Sequence, residues 1–134
     1  MSDEKVEIVR RIYAALAAGD WDAAIELADS DVELVAAEQS PLAGTYRGHE
    51  GLREFFRRVF EIWDEREFRR RPEELKVVGD NVVATVRVHA RFKGSGIELD
   101  ERWADLWTVR EGKATRVEVF TDPAHALKAA GGQT

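Results

Sequence analysis

The stretch VVATVRVHARFKGSGIELDERWADLWTVR, residues 82–110, decides the fold. Its hydrophobicity alternates with a period of two, the mark of strands that bury one face. On one side of the first strand stand Val82, Ala84, Val86, Val88, Ala90 and Phe92. On the other stand Val83, Thr85, Arg87, His89, Arg91 and Lys93. Gly94-Ser95-Gly96 turns the chain back. In the second strand Glu101, Trp103, Asp105, Trp107 and Val109 share a face, and Asp100, Arg102, Ala104, Leu106, Thr108 and Arg110 share the other. Burying two indoles is worth roughly several kcal/mol. The tryptophan face therefore points inward and takes two carboxylates, Glu101 and Asp105, with it.

Working outward, the spacing predicts a strand over Phe68 to Val78, bent at Pro72, and a hairpin turn at Gly79-Asp80-Asn81. After the second tryptophan, Glu111-Gly112 turns the chain into a strand over Lys113 to Thr121, with Val117, Val119 and Thr121 inward. Upstream the period is helical. Val6, Val9, Ile12, Tyr13 and Leu16 mark a first helix over Asp3 to Ala18, ended by Gly19. Asp20 caps a short second helix with Trp21, Ala24, Ile25 and Ala28 inward. Val32 to Ala36 reads as a short strand, followed by a loop with Ser40-Pro41 and Gly44. Gly48 opens a third helix whose stripe is Leu52, Phe55, Phe56, Val59, Phe60 and Trp63. Asp122-Pro123 starts a last short helix that Gly131 ends, and Gly131 to Thr134 read as a loose tail. The order α-α-β-α-β-β-β-β plus a C-terminal helix means one α+β domain, three helices ahead of a mixed, mostly antiparallel sheet, with a concave sheet face needed to cover the Leu52–Trp63 stripe.

Composition narrows the function. The chain has 134 residues, 44% hydrophobic and 34% charged, with a formal net charge of -6. That charge argues against nucleic acid or an anionic membrane as partner. There is no cysteine, hence no disulfide and no thiolate nucleophile or metal ligand. No apolar run approaches the roughly 20 residues that span a bilayer, and the opening residues lack a signal-peptide layout. The expected compartment is the cytoplasm. No cofactor motif is present, and no two histidines share metal spacing.

Asp105 between Trp103 and Trp107 is the leading catalytic candidate. Removed from water, its carboxyl would favour the protonated form. Glu101 is a second carboxyl on the same face, and Tyr13 a hydroxyl donor from the first helix. Two alternatives stand beside this reading: the acids sit near an open rim, or they pair with an arginine or a tyrosine hydroxyl. Candidate walls for a bound molecule are Trp103, Trp107, Val86, Val88, Val117 and Val119 on the sheet. Phe56, Phe60, Trp63 and Ile12 face them from the helices. Trp21 and Trp63 read primarily as packing. His89 alternates outward, His49 lies in the first turn of a helix and His125 in the last helix. Glu38 falls near the expected mouth. Arg69-Arg70-Arg71 reads as a solvated strand face. The outer sheet face mixes ion-pairing residues with Leu106 and Phe120, a surface suited to a symmetric dimer.

Four segments carry a resemblance. Ala17-Ala18-Gly19-Asp20-Trp21-Asp22-Ala23, Tyr46-Arg47-Gly48-His49-Glu50-Gly51-Leu52, Trp107-Thr108-Val109-Arg110-Glu111-Gly112-Lys113 and Val119-Phe120-Thr121-Asp122-Pro123 resemble, in order and spacing, segments of SnoaL-like proteins. These form a branch of the nuclear transport factor 2-like superfamily. The resemblance implies a cone of curved sheet and helices around a deep pocket, often dimerised through the sheet. It does not fix an activity. Of the ketosteroid isomerase set, Asp105 matches the place of the protonated aspartate. The base position matches Ala36, and the tyrosine position matches Ile12, one residue before Tyr13. The Asp-Arg-Asp set of limonene epoxide hydrolases falls on Val88, Val86 and Val119, which excludes that chemistry. The aspartate of SnoaL-type cyclases falls on Val88, with Asp105 as substitute. The His/Asp pair of scytalone dehydratase-like proteins has no inward histidine to fill it. Two readings follow: proton transfer on a small hydrophobic carbonyl or cyclic compound, of isomerase, cyclase or lyase type, or a non-catalytic module that binds a hydrophobic ligand or serves as a dimeric scaffold.

Overall fold

A computed structural model of the chain describes residues 2–36 and 42–131. Glu38 and the Ser40-Pro41 pair lie outside the described residues, as do residues 132–134 of the expected tail.

Helices α1 (Ser2–Ala17) and α2 (Trp21–Glu26) precede strand β1 (Ala28–Ala36) and a short β2 (Gly44–Arg47). Helix α3 (Gly48–Ile62) follows, then β3 (Arg69–Val78), β4 (Asn81–Arg91), β5 (Glu98–Arg110), β6 (Lys113–Phe120) and α4 (Pro123–Gly131). The six strands form one sheet in the order β2-β1-β6-β5-β4-β3. All neighbours are antiparallel except β1 and β6, which run parallel. The architecture is the expected α+β one, with three differences in detail. Strand β2, read from sequence as a loop, is four residues that pair with β1 ahead of α3. Ala28, assigned to the second helix, instead begins β1. Gly131, read both as the end of the last helix and as the first residue of the tail, is the last residue of α4.

The corner between α1 and α2 is local chemistry. Gly19 takes φ +74°, open to glycine at little cost. Its N–H reaches the Leu16 carbonyl at 3.1 Å, and the Asp20 N–H reaches that of Ala15 at 2.9 Å, which satisfies two end carbonyls of α1. Asp20 then accepts from the Ala23 N–H at 3.1 Å and starts α2. At the β5–β6 hairpin both turn residues are left-handed, Glu111 at φ 51° and Gly112 at φ 77°. That twist suits a two-residue connection between right-twisted strands.

The alternation of residues 82–110 is realised. Val82, Ala84, Val86, Val88 and Ala90 are all fully buried on the inner face. Strand β3 bends by a register shift between Pro72 and Glu74, where proline removes a ladder donor. Helix α4 lies on the opposite face. There Val83, Ala104 and Leu106 are buried beneath Ala126, with Phe120 packed alongside. The apolar centre that the sequence offered to a dimer partner is thus covered by the chain's own last helix. Among the described residues no helix is long and apolar enough to cross a membrane.

Candidate functional site

Asp105 is the one fully buried charged residue among those described, at 2% exposure. Two features of sequence put it there. Strand parity turns it inward with Trp107, and its cross-strand neighbours Ala84 and Val119 are uncharged side chains that leave it no partner within the ladder. Its partners come from elsewhere. Tyr13, on the same helical stripe as Val9 and Ile12, donates its hydroxyl to Asp105 Oδ2 at 2.5 Å. The indole N–H of Trp107 donates to that hydroxyl oxygen at 3.0 Å. The Tyr13 and Trp107 rings meet edge to face, centroids 5.8 Å apart. From the far strand β3, Arg70 Nη2 donates to Asp105 Oδ1 and pairs with its charge.

Arg70 extends this set to the rim. Its guanidinium lies over the Trp103 ring, 5.7 Å from the centroid, and the Trp103 indole N–H donates to Glu101 Oε1 at 2.9 Å. Electrostatics fixes the protonation of the tyrosine. Burial, and then the Asp105 charge, push Tyr13 well above its ordinary value of 10.0, while Arg70 pulls the other way. Tyr13 therefore stays a phenol and a donor throughout the physiological range.

Tyr13, Arg70, Trp103, Asp105 and Trp107 line one end of a cavity of about 700 Å³. Helix α3 supplies the opposite wall, which explains why Phe55, Phe56 and Phe60 are only half-buried although they lie on its apolar stripe. Trp21 stacks on Phe56 and Phe60, centroids 5.2 and 5.1 Å away, and Trp63 on Phe92 at 4.2 Å. Both indoles line the cavity, Trp63 as expected of a candidate wall and Trp21 in addition to the packing role read from sequence.

The structure sorts the sequence candidates. Asp105 and Tyr13 are in direct contact. Trp103, Trp107, Val117, Val119, Phe56, Phe60, Trp63 and Ile12 all line the cavity. Val86 and Val88 do not; both are sealed in the core below it, at 0% exposure. Glu101 has the inward parity but lies beyond the cover of the helices. It is exposed, touches Trp103, and is not joined to Asp105. Arg70 corrects the reading of the arginine run. Arg69 and Arg71 are exposed, whereas the Arg70 side chain is 15% exposed and turned inward. Phe68, two residues earlier and also lining the cavity, carried the signal by alternation. Arg70 and Tyr13 together realise the alternative in which the inward carboxyl pairs with an arginine and a tyrosine hydroxyl. The histidines lie apart from the site. His89 faces outward beside Glu98, His125 lies beside Asp122, and His49 Nε2 bonds the Ala28 carbonyl at 2.9 Å. Among the described residues no three histidine or carboxylate groups converge to hold a metal ion.

The same architecture recurs in known proteins. An NTF2-like protein of Burkholderia thailandensis superposes with a TM-score of 0.80 at 30% identity, over 96% of each chain. TerC, crystallised with polyporic acid, superposes with a TM-score of 0.79 at 28% identity, over 95% of this chain and 98% of TerC. An uncharacterised protein of Mycobacterium tuberculosis is 31% identical over 123 residues, 91% of this chain and 92% of that protein. The family described as the SnoaL-like domain matches residues 9–117, a span that runs from the α1 stripe carrying Tyr13 through Asp105 to Val117. With the family matched over residues 9–117 and the fold shared with an NTF2-like protein, the chain belongs to the SnoaL-like family of the nuclear transport factor 2-like superfamily.

Proposed function

We propose that the chain binds a small, largely apolar carbonyl or cyclic compound in the cavity and moves a proton on it with Asp105. One observation carries this: a carboxylate 2% exposed that lines a cavity of about 700 Å³ with mostly hydrocarbon walls. Asp105 takes a proton from a carbon beside the ligand carbonyl. Arg70 faces the negative charge that grows on the carbonyl oxygen. Tyr13, held protonated, keeps the carboxylate aligned. The proton then returns from Asp105 to carbon, at the same or a conjugated position. TerC, a 28% identical relative, was co-crystallised with polyporic acid, which supports a small-molecule role for this scaffold.

The test uses 2-tetralone, a flat ketone with exchangeable α protons, after a thermal-shift assay has established that it binds. In D2O the protein accelerates deuterium incorporation seen by NMR, and Asp105→Asn slows it by about 10²-fold or more. Equal exchange with both proteins ends the catalytic reading.

One observation favours a second reading, non-catalytic binding. The Tyr13 hydroxyl is already spent, donating to Asp105 and accepting from Trp107. Under it a bound ketone raises the melting temperature and is recovered unchanged, protons included.

The proposal also has two copies pairing through the outer sheet face beside α4. Its support is the mixed sign of the exposed side chains there, Arg87, Asp100, Arg102 and Glu73, which lets the face meet a second copy of itself about a two-fold axis. Light scattering gives twice the chain mass at low salt if the surfaces pair, and a single-chain mass at every concentration rejects it.

A further inference from the structure

The polar end of the cavity has a definite hydrogen-bond deficit and a definite charge. An ionised carboxylate offers about four lone-pair sites. Asp105 uses one for Tyr13 and one for Arg70. A guanidinium offers five N–H donors. Among the described residues Arg70 spends its hydrogen bonding on Asp105 alone. Tyr13 is closed, since its hydroxyl donates to Asp105 and accepts from Trp107. The capacity left to an occupant is therefore donors on Arg70 and lone pairs on Asp105, side by side.

The charge of that end sums to zero. Arg70 and Asp105 cancel, and Tyr13 is held as the neutral phenol. Three other charged residues line the cavity, Glu65, Arg69 and Arg71, and all three are exposed. Arg69 and Arg71 pair across the ladder with His89 and Arg87, on the face opposite to Arg70. An anion carried to Asp105 would therefore bring a net negative charge into a largely apolar enclosure, and that burial is costly.

We infer that the occupant is uncharged and carries a hydroxyl group, of an alcohol, phenol or enol, that accepts from Arg70 and donates to Asp105. This rests on the pocket reading above and adds the chemical class. An ether or ketone oxygen answers Arg70 only. A carboxylate answers Arg70 but repels Asp105. A single hydroxyl answers both.

Three naphthalenes of matched shape test it on the intact chain by titration calorimetry at pH 7: 2-naphthol, 2-methoxynaphthalene and 2-naphthoate. The expected order is 2-naphthol tightest, about tenfold or more ahead of the methyl ether, with 2-naphthoate weakest. In Asp105→Asn the polar end gains a net positive charge, and 2-naphthoate overtakes 2-naphthol. A methyl ether that binds as well as 2-naphthol, or a carboxylate that binds tightest to the natural chain, overturns the inference and leaves the pocket reading in place. Failure of all three to bind overturns both. The ranking in the natural chain decides the matter even where Asp105→Asn does not fold.

Discussion

Two arginine–aspartate pairs occupy opposite faces of one sheet. On the outer face Arg87 Nε meets Asp100 Oδ1 at 2.7 Å, with the two side chains 44% and 53% exposed. On the inner face Arg70 meets Asp105, with 15% and 3% exposure. The chemistry is the same, and so is the sheet. Outside, water already solvates both ions, so the pair gains little and salt weakens it further. Inside, each ion has given up its hydration and depends on the other, on Tyr13 and on the Trp103 ring. Geometry makes both pairs, but only burial makes one of them indispensable.

Charge removal puts the largest strain on that contrast. Arg70→Met and Asp105→Leu, each alone, leave an unpaired charge in the interior and cost about 3–5 kcal/mol in urea unfolding. The double variant recovers most of the loss, because neither ion is then stranded. Strict additivity would show that the inner pair behaves as an outer one.

A smaller effect comes from Tyr13→Phe, which strips a partner from Asp105 and from Trp107 at a cost of about 1–3 kcal/mol. Tyr13 also gives the inner face an alkaline limit. Its folded-state value lies above 10.0, so the unfolded chain loses this proton first as pH rises. The stabilisation is complete below about pH 10 and is lost as pH climbs above it toward the folded-state value. Urea midpoints measured from pH 8 to 11 should fall steeply in the natural chain and less steeply in Tyr13→Phe.

The smallest effect belongs to the outer pair. Arg87→Ala should leave the melting temperature within experimental error at physiological salt. A shift as large as that of Tyr13→Phe would erase the distinction between the faces.

The same contrast explains what could be read from sequence. Faces were legible wherever alternation was unbroken. The valines of β4 and the indoles of β5 assigned the inner side, and Asp105 followed by parity. Tyr13 followed by helical spacing from Val9. Arg70 was hidden because three identical residues carry no alternation of their own; only the count from Phe68 separates them. Glu101 shows the converse, since parity fixes direction along a strand but not how far the helices reach over it. Val86 and Val88 point inward, yet lie too deep to meet the cavity. Strand β2 escaped because four residues are too few to show a period.

Strand β3 is the last in the sheet, hydrogen-bonded to β4 and to no strand beyond it, and its register slips just past Arg70. The counter-ion of the deepest carboxylate is thus supplied by an edge strand. Fraying of that edge would withdraw the guanidinium and dismantle the binding floor in the same movement, so an occupant that grips Arg70 also stitches the border of the sheet. Amide exchange along residues 69–71 should slow on occupancy, far more than exchange in the interior strands it never needed to hold.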